Sequence, residues 1–505
     1  MLSIVKSIVL QGLDGILINV ETDISSGMPC WDVVGLPDIN IKESKERVRT
    51  AIKNCGINLL SRKYIINLSP ASVKKTGASL DLAIAVGILC SMNVIKHKHL
   101  DKCIFIGELS LDGRLNKVNG ILPICIEAIK NGINEVILPK ENAKEAAIVK
   151  ELRVIGVNNL KEVISYLNKK IEILPEEINI NNVFKEVKAS TIDFSEVKGQ
   201  KIIKRALEVA AAGGHNCLLI GSPGSGKTMM ARRIPTILPN LTFRESLEIT
   251  KIHSISGILS GESLVTQRPF RSPHHTITEK ALIGGGKIPK PGEVSLAHLG
   301  VLFLDELLEF NKNTLEVLRI PMEDGKINIS RVGMNISYPC NFMLVASMNP
   351  CPCGYYGSKE KQCICTEIQR KAYKSKLSGP MLDRFDIHIK VPSIKYKDIN
   401  KNKTQTSEEI KNNVNNARKI QQERYREYSI FSNSELSPKL IEKYCNLENN
   451  AKEKLKIYFE KMKLSSRSYF KILKVARTIA DLENKDKIQV QHILEAIQYR
   501  SLDKV

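Results

Sequence analysis

The chain has 505 residues, of which 43% are hydrophobic and 26% are charged, and its formal net charge is +21. These proportions are typical of soluble globular proteins, and the length excludes a single ordinary core, so two to four domains are expected. The positive charge has two explanations. Lysine and arginine bind nucleic-acid phosphates, but an AT-rich genome also produces an excess of Lys, together with much Ile and Asn.

The N-terminal residues and the apolar runs exclude a signal peptide and a membrane span. Lys6, Gln11 and Asp14 interrupt the first apolar residues. The longest apolar run, residues 82–95, is shorter than the roughly 20 residues that cross a bilayer. We therefore expect a cytoplasmic protein with no membrane partner, in which the twelve cysteines stay reduced.

The pattern of apolar residues divides the chain into four segments. Over residues 1–168, β-branched runs alternate with helical patterns, which predicts an α/β domain. A polar linker follows over 169–195. Residues 196–392 contain three apolar strands that each end in a polar loop, as in a parallel sheet with ligands at the carboxyl ends of its strands. Helical spacing over 393–505 predicts a small all-α domain.

A glycine-rich loop follows the first of these three strands. It matches the phosphate-binding pattern at every required position, and it consists of Gly221, Ser222, Pro223, Gly224, Ser225, Gly226, Lys227 and Thr228. Glycines allow backbone N–H groups to surround phosphates, the lysine reaches the terminal phosphate oxygens, and the threonine hydroxyl binds Mg²⁺. The sequence therefore predicts an ATP site that uses Mg²⁺.

The second and third strands end in side chains that suit the same chemistry. Asp305, after the apolar run VLFL, is positioned to hold the Mg²⁺ shell, and Glu306 to polarise an attacking water. Asn349 ends the third strand and is a candidate to orient that water or the terminal phosphate. An asparagine before proline is also common in turns, so this third assignment has an ordinary structural alternative.

Four cysteines lie within fifteen residues, as Cys351, Cys353, Cys363 and Cys365. Four thiolates fit a tetrahedral Zn²⁺ ion, and the filled ligand set favours a structural site over a catalytic one. The spacing within each pair is shorter than in common zinc knuckles. Unrelated reduced thiols and a redox switch are the alternatives. We expect a zinc-binding insert at 351–365 that stiffens the segment leading to Arg384.

These motifs carry a family resemblance. The order GSPGSGKT, LFLDE, SMNP and GPMLDRFD resembles AAA+ ATPases of the helix-2-insert group, which includes magnesium chelatase motor subunits and minichromosome maintenance helicases. RPFRSPHHT, NPCPCG and ARTIADLE are similar, more narrowly, to the YifB/ComM family of Mg-chelatase-like ATPases. The resemblance covers nearly the whole chain. It implies an AAA+ core with a helix-2 insert, a small helical lid and a hexameric ring.

The resemblance also assigns roles to arginines. Arg384, in LDRFD, matches the arginine finger, which enters the site of a neighbouring subunit and neutralises charge on the transferring phosphoryl group. Arg467, in SSRSYF, matches the second sensor position, and Arg477 competes with it for that role. Solvation at a helix surface is the alternative for both of these C-terminal arginines.

Two loops carry basic residues that suit a nucleic-acid backbone. Lys287 and Lys290 lie in the segment that resembles the family's pore-facing insert, and Arg331 lies near the turn of a predicted hairpin. Such residues are expected to bind single-stranded or branched DNA through its phosphates, without reading sequence. Ordinary solvation of loop lysines is the alternative. For His274 and His275 we expect packing or hydrogen bonding between subunits and not a metal pair.

The N-terminal segment resembles the proteolytic domain of Lon proteases, through TGASLDLAIAVGIL and GELSLDGRLNKVNGILPI. The position of the Lon nucleophile falls at Gly77, and that of its lysine at or near Leu122 or Ile124. A shifted dyad of Ser79 with Lys74 or Lys75 would take its lysine from the wrong segment. We therefore expect an inactive domain that serves in binding or assembly.

The family resemblance implies an ATP-driven ring motor that moves on DNA and catalyses branch migration of recombination intermediates, as in natural transformation. Three other functions compete with it. These are a chelatase-type motor that loads metal into a tetrapyrrole, an ATP-dependent protease, and an ATP-switched scaffold with negligible turnover.

Overall fold

The structure, a computed structural model, describes residues 2–96, 100–185, 192–259, 261–286, 289–331, 334–358, 361–392, 404–428, 430–462, 464–500 and 502. The chain divides into two compact units. The first comprises residues 1–187, 246–266 and 330–337, and the second comprises 188–245, 267–329 and 338–505.

The first unit is built on a seven-stranded mixed sheet with the order β3-β4-β2-β1-β5-β8-β9. Its strands, with the small β6–β7 pair, are β1 (Ser3–Gln11), β2 (Asp14–Ser25), β3 (Cys30–Val34), β4 (Lys63–Ser69), β5 (Cys103–Phe105), β6 (Glu108–Leu109), β7 (Leu115–Asn116), β8 (Glu135–Pro139) and β9 (Arg153–Val157). Its helices are α1 (Ile39–Asn54), α2 (Asp81–Ser91), α3 (Ile121–Lys130), α4 (Lys140–Ala146), α5 (Leu160–Leu167) and α6 (Ile180–Lys185).

A buried ion pair connects the two longest helices of this unit. Asp81, at the first turn of α2, is fully buried, and its carboxylate accepts a hydrogen bond from Nε of Arg47 on α1 at 2.9 Å. The Ser44 hydroxyl donates to the same carboxylate. A buried carboxylate needs such partners, because desolvation of the charge is otherwise costly. The contact therefore fixes α1 against α2, which is apolar over almost its whole surface.

The second unit contains a five-stranded sheet in which every pair is parallel, with the order β11-β14-β17-β10-β18. These strands are β10 (Cys217–Gly221), β11 (Phe270–Arg271), β14 (Val301–Leu304), β17 (Met343–Met348) and β18 (Ile387–Val391). Two hairpins complete the strands, namely β12 (Gly284–Gly285) with β13 (Lys290–Pro291), and β15 (Lys326–Arg331) with β16 (Met334–Pro339). Residues 330–337 of the second hairpin are assigned to the first unit.

The helices that accompany this sheet are α7 (Lys201–Gly213), α8 (Lys227–Ala231), α9 (Ile234–Ile237), α11 (Glu279–Ile283), α12 (Glu293–Leu296), α13 (Lys312–Glu316), α14 (Arg319–Asp324), α15 (Glu367–Lys374) and α16 (Gly379–Leu382). Helix α10 (Phe243–Ser256) belongs from Ser246 onward to the first unit. The C-terminal part is helical, with α17 (Ser407–Arg424), α18 (Pro438–Tyr444), α19 (Asn449–Lys461), α20 (Ser466–Leu482) and α21 (Val490–Gln498). Three short 3₁₀ turns cover Phe194–Glu196, Leu307–Glu309 and Asn433–Glu435.

The sequence explains these elements locally. The residues of β10, β14 and β17 are buried throughout, as expected for strands of a parallel sheet that is covered on both faces. Helix α7 ends at Gly214, which has a φ of 70° in the left-handed region that favours glycine. Helix α17 begins with a capping box in which Thr406 and Glu409 bond reciprocally.

The predicted fold class is therefore confirmed, as a mixed α/β chain with a parallel P-loop sheet and a helical C-terminal region. Within the described residues, no helix combines the length and the apolar character that a membrane span requires.

A charged contact joins the start of β18 to helix α20. Asp386, 9% exposed, accepts a hydrogen bond from the backbone N–H of Asn216 at 3.1 Å and lies 3.2 Å from the Lys471 ammonium. Burial alone would raise the pKa of Asp386, but the charge of Lys471, the hydrogen bond and charge of His215, and the charge of Lys474 together outweigh burial and hold that pKa well below its usual range. The carboxylate is thus charged in the folded state and stabilises the contact between sheet and lid.

This contact gives a stability prediction with a defined pH dependence. Asp386→Asn leaves Lys471 buried without its counter-charge and is expected to cost about 3 kcal/mol at pH 7. Because the pKa of Asp386 is lower in the folded state, its ionised carboxylate contributes its full stabilisation at pH values above the unfolded pKa of about 3.9. This stabilisation is lost progressively as the pH falls from about 3.9 toward the folded pKa. The difference in free energy of unfolding between the wild type and Asp386→Asn, measured by urea unfolding, should therefore be about 1 kcal/mol smaller at pH 3 than at pH 7.

Glu367→Gln is the matched control, because the Glu367–Lys371 pair lies on the exposed surface of α15. Its expected cost is below about 0.5 kcal/mol at either pH. Equal costs for the two variants would contradict the assignment of Asp386 as a stabilising buried carboxylate.

Candidate functional site

The glycine loop connects β10 to α8 with the backbone geometry that phosphate binding requires. Gly224 and Gly226 have φ values of 75° and 86°, which side-chain-bearing residues rarely adopt, and a Cβ atom at either residue would meet open space. The glycines are therefore required for backbone conformation and not for tight packing. This conformation turns successive N–H groups of the loop into the concavity at the N-terminus of α8.

Lys227 is largely buried beneath this loop, and its ammonium contacts three oxygens. It donates to the carbonyls of Gly221 and Ser222 at 2.8 and 2.9 Å, and it lies 3.3 Å from Oδ1 of Asn349. Burial lowers the pKa of Lys227, while the nearby carboxylates of Asp305 and Glu306 oppose that shift. The structure thus brings Asn349 and Lys227, which follow the neighbouring strands β17 and β10, to one point at the carboxyl edge of the sheet.

The side chain of Asp305, directly after β14, is held from two sides. Its Oδ2 accepts a hydrogen bond from the Thr228 hydroxyl at 2.8 Å, and its Oδ1 accepts one from the hydroxyl of Ser347. A hydroxyl and a carboxylate in direct contact are the oxygen donors that Mg²⁺ prefers. Thr228 and Asp305 are therefore the two groups that could hold this ion.

Ser347 was missed by the sequence reasoning. It is fully buried on β17, donates to Asp305, and accepts a hydrogen bond from the backbone N–H of Glu306 at 3.2 Å. The signal was available in the pattern, because residues two apart in a strand share a face and Ser347 precedes Asn349 by two. A polar residue in the otherwise apolar run MLVASM marks the side of the strand that faces the site.

Glu306 has a backbone conformation that is unusual for its residue type. Its φ is 53°, in the left-handed region, and its side chain is exposed at the edge of the site. Such strain costs about 1 kcal/mol or more and is found most often at functional positions. The bond from its N–H to Ser347 holds this conformation and directs the carboxylate away from the strand.

Arg384 lies at the opposite edge of the same sheet. It precedes β18 by three residues, whereas Gly221 of the glycine loop pairs with Val391 at the far end of β18. The five residues of β18 alone span about 13 Å. Its guanidinium donates to the Pro380 carbonyl at 2.9 Å and pairs with Glu323, and its side chain is only 9% exposed. The structure thus does not bring Arg384 to the glycine loop of its own chain.

The two C-terminal arginines differ in their surroundings. Arg467, near the start of α20, is exposed and lies 4.0 Å from Asp383, on the same side of the sheet as Arg384. Arg477 is buried, pairs with Asp481 at 2.9 Å, and donates to the main-chain carbonyls of residues 485 and 486. Arg477 is therefore committed to the interior of the lid, whereas Arg467 is available to another molecule.

The four cysteines of residues 351–365, called the clip below, converge. Their sulfurs all lie within 4.8 Å of one another. Three of the separations are 3.4 to 3.6 Å, close to the roughly 3.8 Å that Zn–S bonds of about 2.3 Å produce in a tetrahedron. A backbone hydrogen bond from Tyr355 lowers the pKa of Cys353 to about 6. The donor set therefore fits a structural Zn²⁺ ion.

The clip lies directly against the glycine loop. Gly354 has a φ of 83°, and a Cβ atom built on it would be 2.5 Å from Cδ of Pro223. Only a glycine allows this approach, because the clashing atoms belong to a rigid ring. The clip also begins two residues after Asn349. The sequence reasoning connected the clip with Arg384, whereas the structure shows that its immediate neighbour is the phosphate-binding loop.

The remaining sequence-predicted groups are spread over the chain. Lys290 lies on β13 and Arg331 at the end of β15, and both side chains are exposed. Lys287 lies outside the described residues. His274 and His275 stack with ring centroids 4.0 Å apart, and Nδ1 of His274 bonds to the Thr276 hydroxyl. Among the described residues, the clip forms the one cluster of His, Cys, Asp and Glu suited to a metal.

The Lon-like segment holds its lysine in a structural contact. Lys75 is fully buried, and its ammonium donates to the main-chain carbonyls of Gly35 and Pro70. Leu122 and Ile124, at or near which the sequence comparison with Lon proteases expects a lysine, are both buried in apolar clusters. Gly77 occupies the nucleophile position and has a φ of 89°. These contacts give Lys75 a role in packing.

The clip's position predicts an effect of metal removal on nucleotide binding. Cys363→Ser is expected to abolish zinc binding, measured as metal per chain by mass spectrometry. It should also weaken binding of a fluorescent ATP analogue about tenfold, since the clip supports Pro223. Cys30→Ser, which removes a partly exposed thiol of the first unit, is the control. Loss of zinc with unchanged nucleotide affinity would contradict the prediction that the clip holds the glycine loop in place.

Comparison with protein families gives three matches that together span most of the chain. Residues 193–399 match the model described as "Magnesium chelatase, subunit ChlI", and residues 20–142 match "Subunit ChlI of Mg-chelatase". Residues 404–500 match "Magnesium chelatase, subunit ChlI C-terminal".

Individual relatives match over the full length. The chain is 39% identical to the competence protein ComM of Haemophilus influenzae over 99% of this chain and 98% of that protein. It is 40% identical to the uncharacterized protein YifB of Escherichia coli, over 100% and 98%. The magnesium-chelatase subunit ChlI of Trieres chinensis is 24% identical over 42% of this chain and 60% of that protein. This chain belongs to the YifB/ComM family of magnesium-chelatase-like AAA+ ATPases.

Proposed function

We propose that this protein is an ATP-driven ring motor that acts on branched DNA and catalyses branch migration in homologous recombination. The observation that carries the ATPase part is the convergence of Lys227, Thr228, Asp305 and Asn349 at one edge of the sheet. Membership of an AAA+ family implies ATP and Mg²⁺. The DNA part is supported by the net charge of +21 and by the name of the relative from Haemophilus influenzae, a competence protein.

Each residue of the site has a separate role in ATP hydrolysis. The glycine loop and Lys227 bind the phosphates, and Thr228 with Asp305 would hold Mg²⁺, which neutralises charge on the phosphate oxygens. Glu306, held in its strained conformation by Ser347, accepts a proton from the attacking water. Asn349, which already contacts Lys227, orients that water or the terminal phosphate.

The position of Arg384 makes this site depend on another subunit. A guanidinium at the amino-terminal edge of the sheet is too far from the carboxyl-terminal edge to act in its own chain. Arg467 lies on the same side. We infer that both arginines act on the nucleotide of a neighbouring subunit, which closes a ring of six, and that DNA phosphates bind to Lys290 and Arg331 in its channel.

The first test is migration of a synthetic four-way DNA junction by purified protein with Mg²⁺ and ATP. Lys227→Ala is expected to abolish migration, because the phosphates lose their lysine contact, and Glu306→Gln to slow ATP hydrolysis about 100-fold while nucleotide still binds. Glu309→Gln, a change of another exposed glutamate close to the site, is the matched control. ATP hydrolysis that is indifferent to branched and single-stranded DNA would contradict the motor function.

A subunit-mixing experiment tests the arginine assignment. Arg384→Ala is expected to lower ATP hydrolysis about 1,000-fold, and Lys227→Ala to abolish it. In a mixture of the two variants, an intact site of one subunit can meet an intact Arg384 of the other, so activity should reappear. Arg114→Ala, at an exposed arginine of the first unit, serves as control. A mixture as inactive as its components would overturn action between subunits.

The other candidate functions give different results in the same assays. A chelatase-type motor would hydrolyse ATP without moving a junction and would copurify with a large partner subunit. A scaffold would assemble with nucleotide but show negligible turnover. A protease would degrade casein in a manner that Ser79→Ala abolishes.

A further inference from the structure

The clip and the first residues of α15 carry apolar side chains that are largely exposed. Ile364, between Cys363 and Cys365, is 85% exposed, Ile368 at the start of α15 is 81% exposed, and Tyr356 is 48% exposed. The backbone of this segment is fixed by the converging sulfurs, so Ile364 cannot turn inward without opening the cluster. Single exposed apolar residues are ordinary, but three on one rigid segment indicate an interaction surface.

The position of this surface restricts what can cover it. Gly354 of the clip lies against Pro223 of the glycine loop, so any molecule that reaches the nucleotide edge of the sheet passes beside the clip. In the proposed motor, the arginine that acts on the nucleotide comes from outside the chain, because Arg384 lies at the far edge of its own sheet. The molecule expected beside the clip is therefore a second copy that presents its Arg384.

The surroundings of Arg384 complement the clip in shape and in charge. Ile320, on α14, is 64% exposed, and Glu323, three residues on, shares its face of the helix and pairs with Arg384. Asp324 adds a second negative charge. In contrast, α15 beside the clip carries Arg370, Lys371 and Lys374 against one acid, Glu367. The exposed Ile320 thus lies near Glu323 and Asp324, with Arg319 paired to Glu316, whereas Ile364 and Ile368 lie near the bases of α15.

We propose that the clip of one subunit docks on α14 of the next subunit, with Ile364 and Ile368 against Ile320 and the basic face of α15 against Glu323 and Asp324. This proposal rests on the proposed ring motor, in which Arg384 acts on a neighbouring nucleotide. The contact also has a chemical consequence. A lysine of α15 competes for Glu323, which frees the guanidinium of Arg384 to turn toward the phosphates.

The test measures assembly of the full-length protein by sedimentation velocity with ATPγS and Mg²⁺. Ile364→Glu and Ile320→Lys each place a charge in the apolar contact and are expected to weaken assembly about tenfold. Each also places its charge against like charges on the facing element, since the glutamate of Ile364→Glu would meet the acids of α14 and the lysine of Ile320→Lys the bases of α15. The double variant pairs the new glutamate with the new lysine across the interface, so assembly should recover to within about threefold of wild type.

Ile457→Glu is the control, because Ile457 is similarly exposed at 53% but lies on α19 of the lid. All of these side chains point to solvent, so unchanged thermal unfolding of each variant verifies that it folds. Wild-type assembly of the single variants, or no recovery in the double variant, would overturn the docking. If the single variants assemble and migrate junctions normally, the docking fails while the motor function stands. If the wild-type protein stays monomeric with nucleotide, both fail.

Discussion

The parallel alignment of five strands is the constraint on which the rest of this structure depends. Parallel pairing places the carboxyl ends of all five strands at the same edge of the sheet. Lys227 therefore meets Asn349, 122 positions later in the sequence, and Thr228 meets Asp305, 77 positions later. The register of β10, with Ile220 opposite Met348 and Gly221 opposite Val391, sets the depth of the glycine loop between its neighbours. A slip by one residue would turn Ser347 away from Asp305 and remove the bond that holds Glu306.

The same alignment separates the two halves of the catalytic apparatus. The loops at the carboxyl edge bind nucleotide, and the chain between strands must return to the amino edge before the next strand begins. Arg384 lies in the segment that leads back to the start of β18, and it is therefore at the amino-terminal edge, away from the glycine loop of its own chain. In the proposed ring motor, catalytic groups at opposite edges of one sheet act together only when copies assemble, which would link hydrolysis to assembly.

Much of the nucleotide site could be predicted from the sequence. Each of its residues follows a short apolar run of the kind that forms a buried strand, and the ends of such strands meet at one edge of a parallel sheet. The glycine loop, Asp305, Glu306 and Asn349 all come together on that basis. The sequence could not reveal the left-handed backbone of Glu306 or the contact between Gly354 and Pro223, because both depend on packing between distant segments. It also could not show that Arg467 lies beside Asp383, since a helix pattern indicates a buried face but not what that face meets.

The close approach of Gly354 to Pro223 has a consequence for how such sequences diverge. A side chain at position 354 would overlap the ring of Pro223, so the residues at these two positions cannot change independently. A relative that carries a side chain at position 354 must have a smaller, unringed residue at position 223, or a clip displaced from the loop. Paired replacement at these two positions, 131 residues apart in the chain, is thus a signature that can be sought in sequences alone.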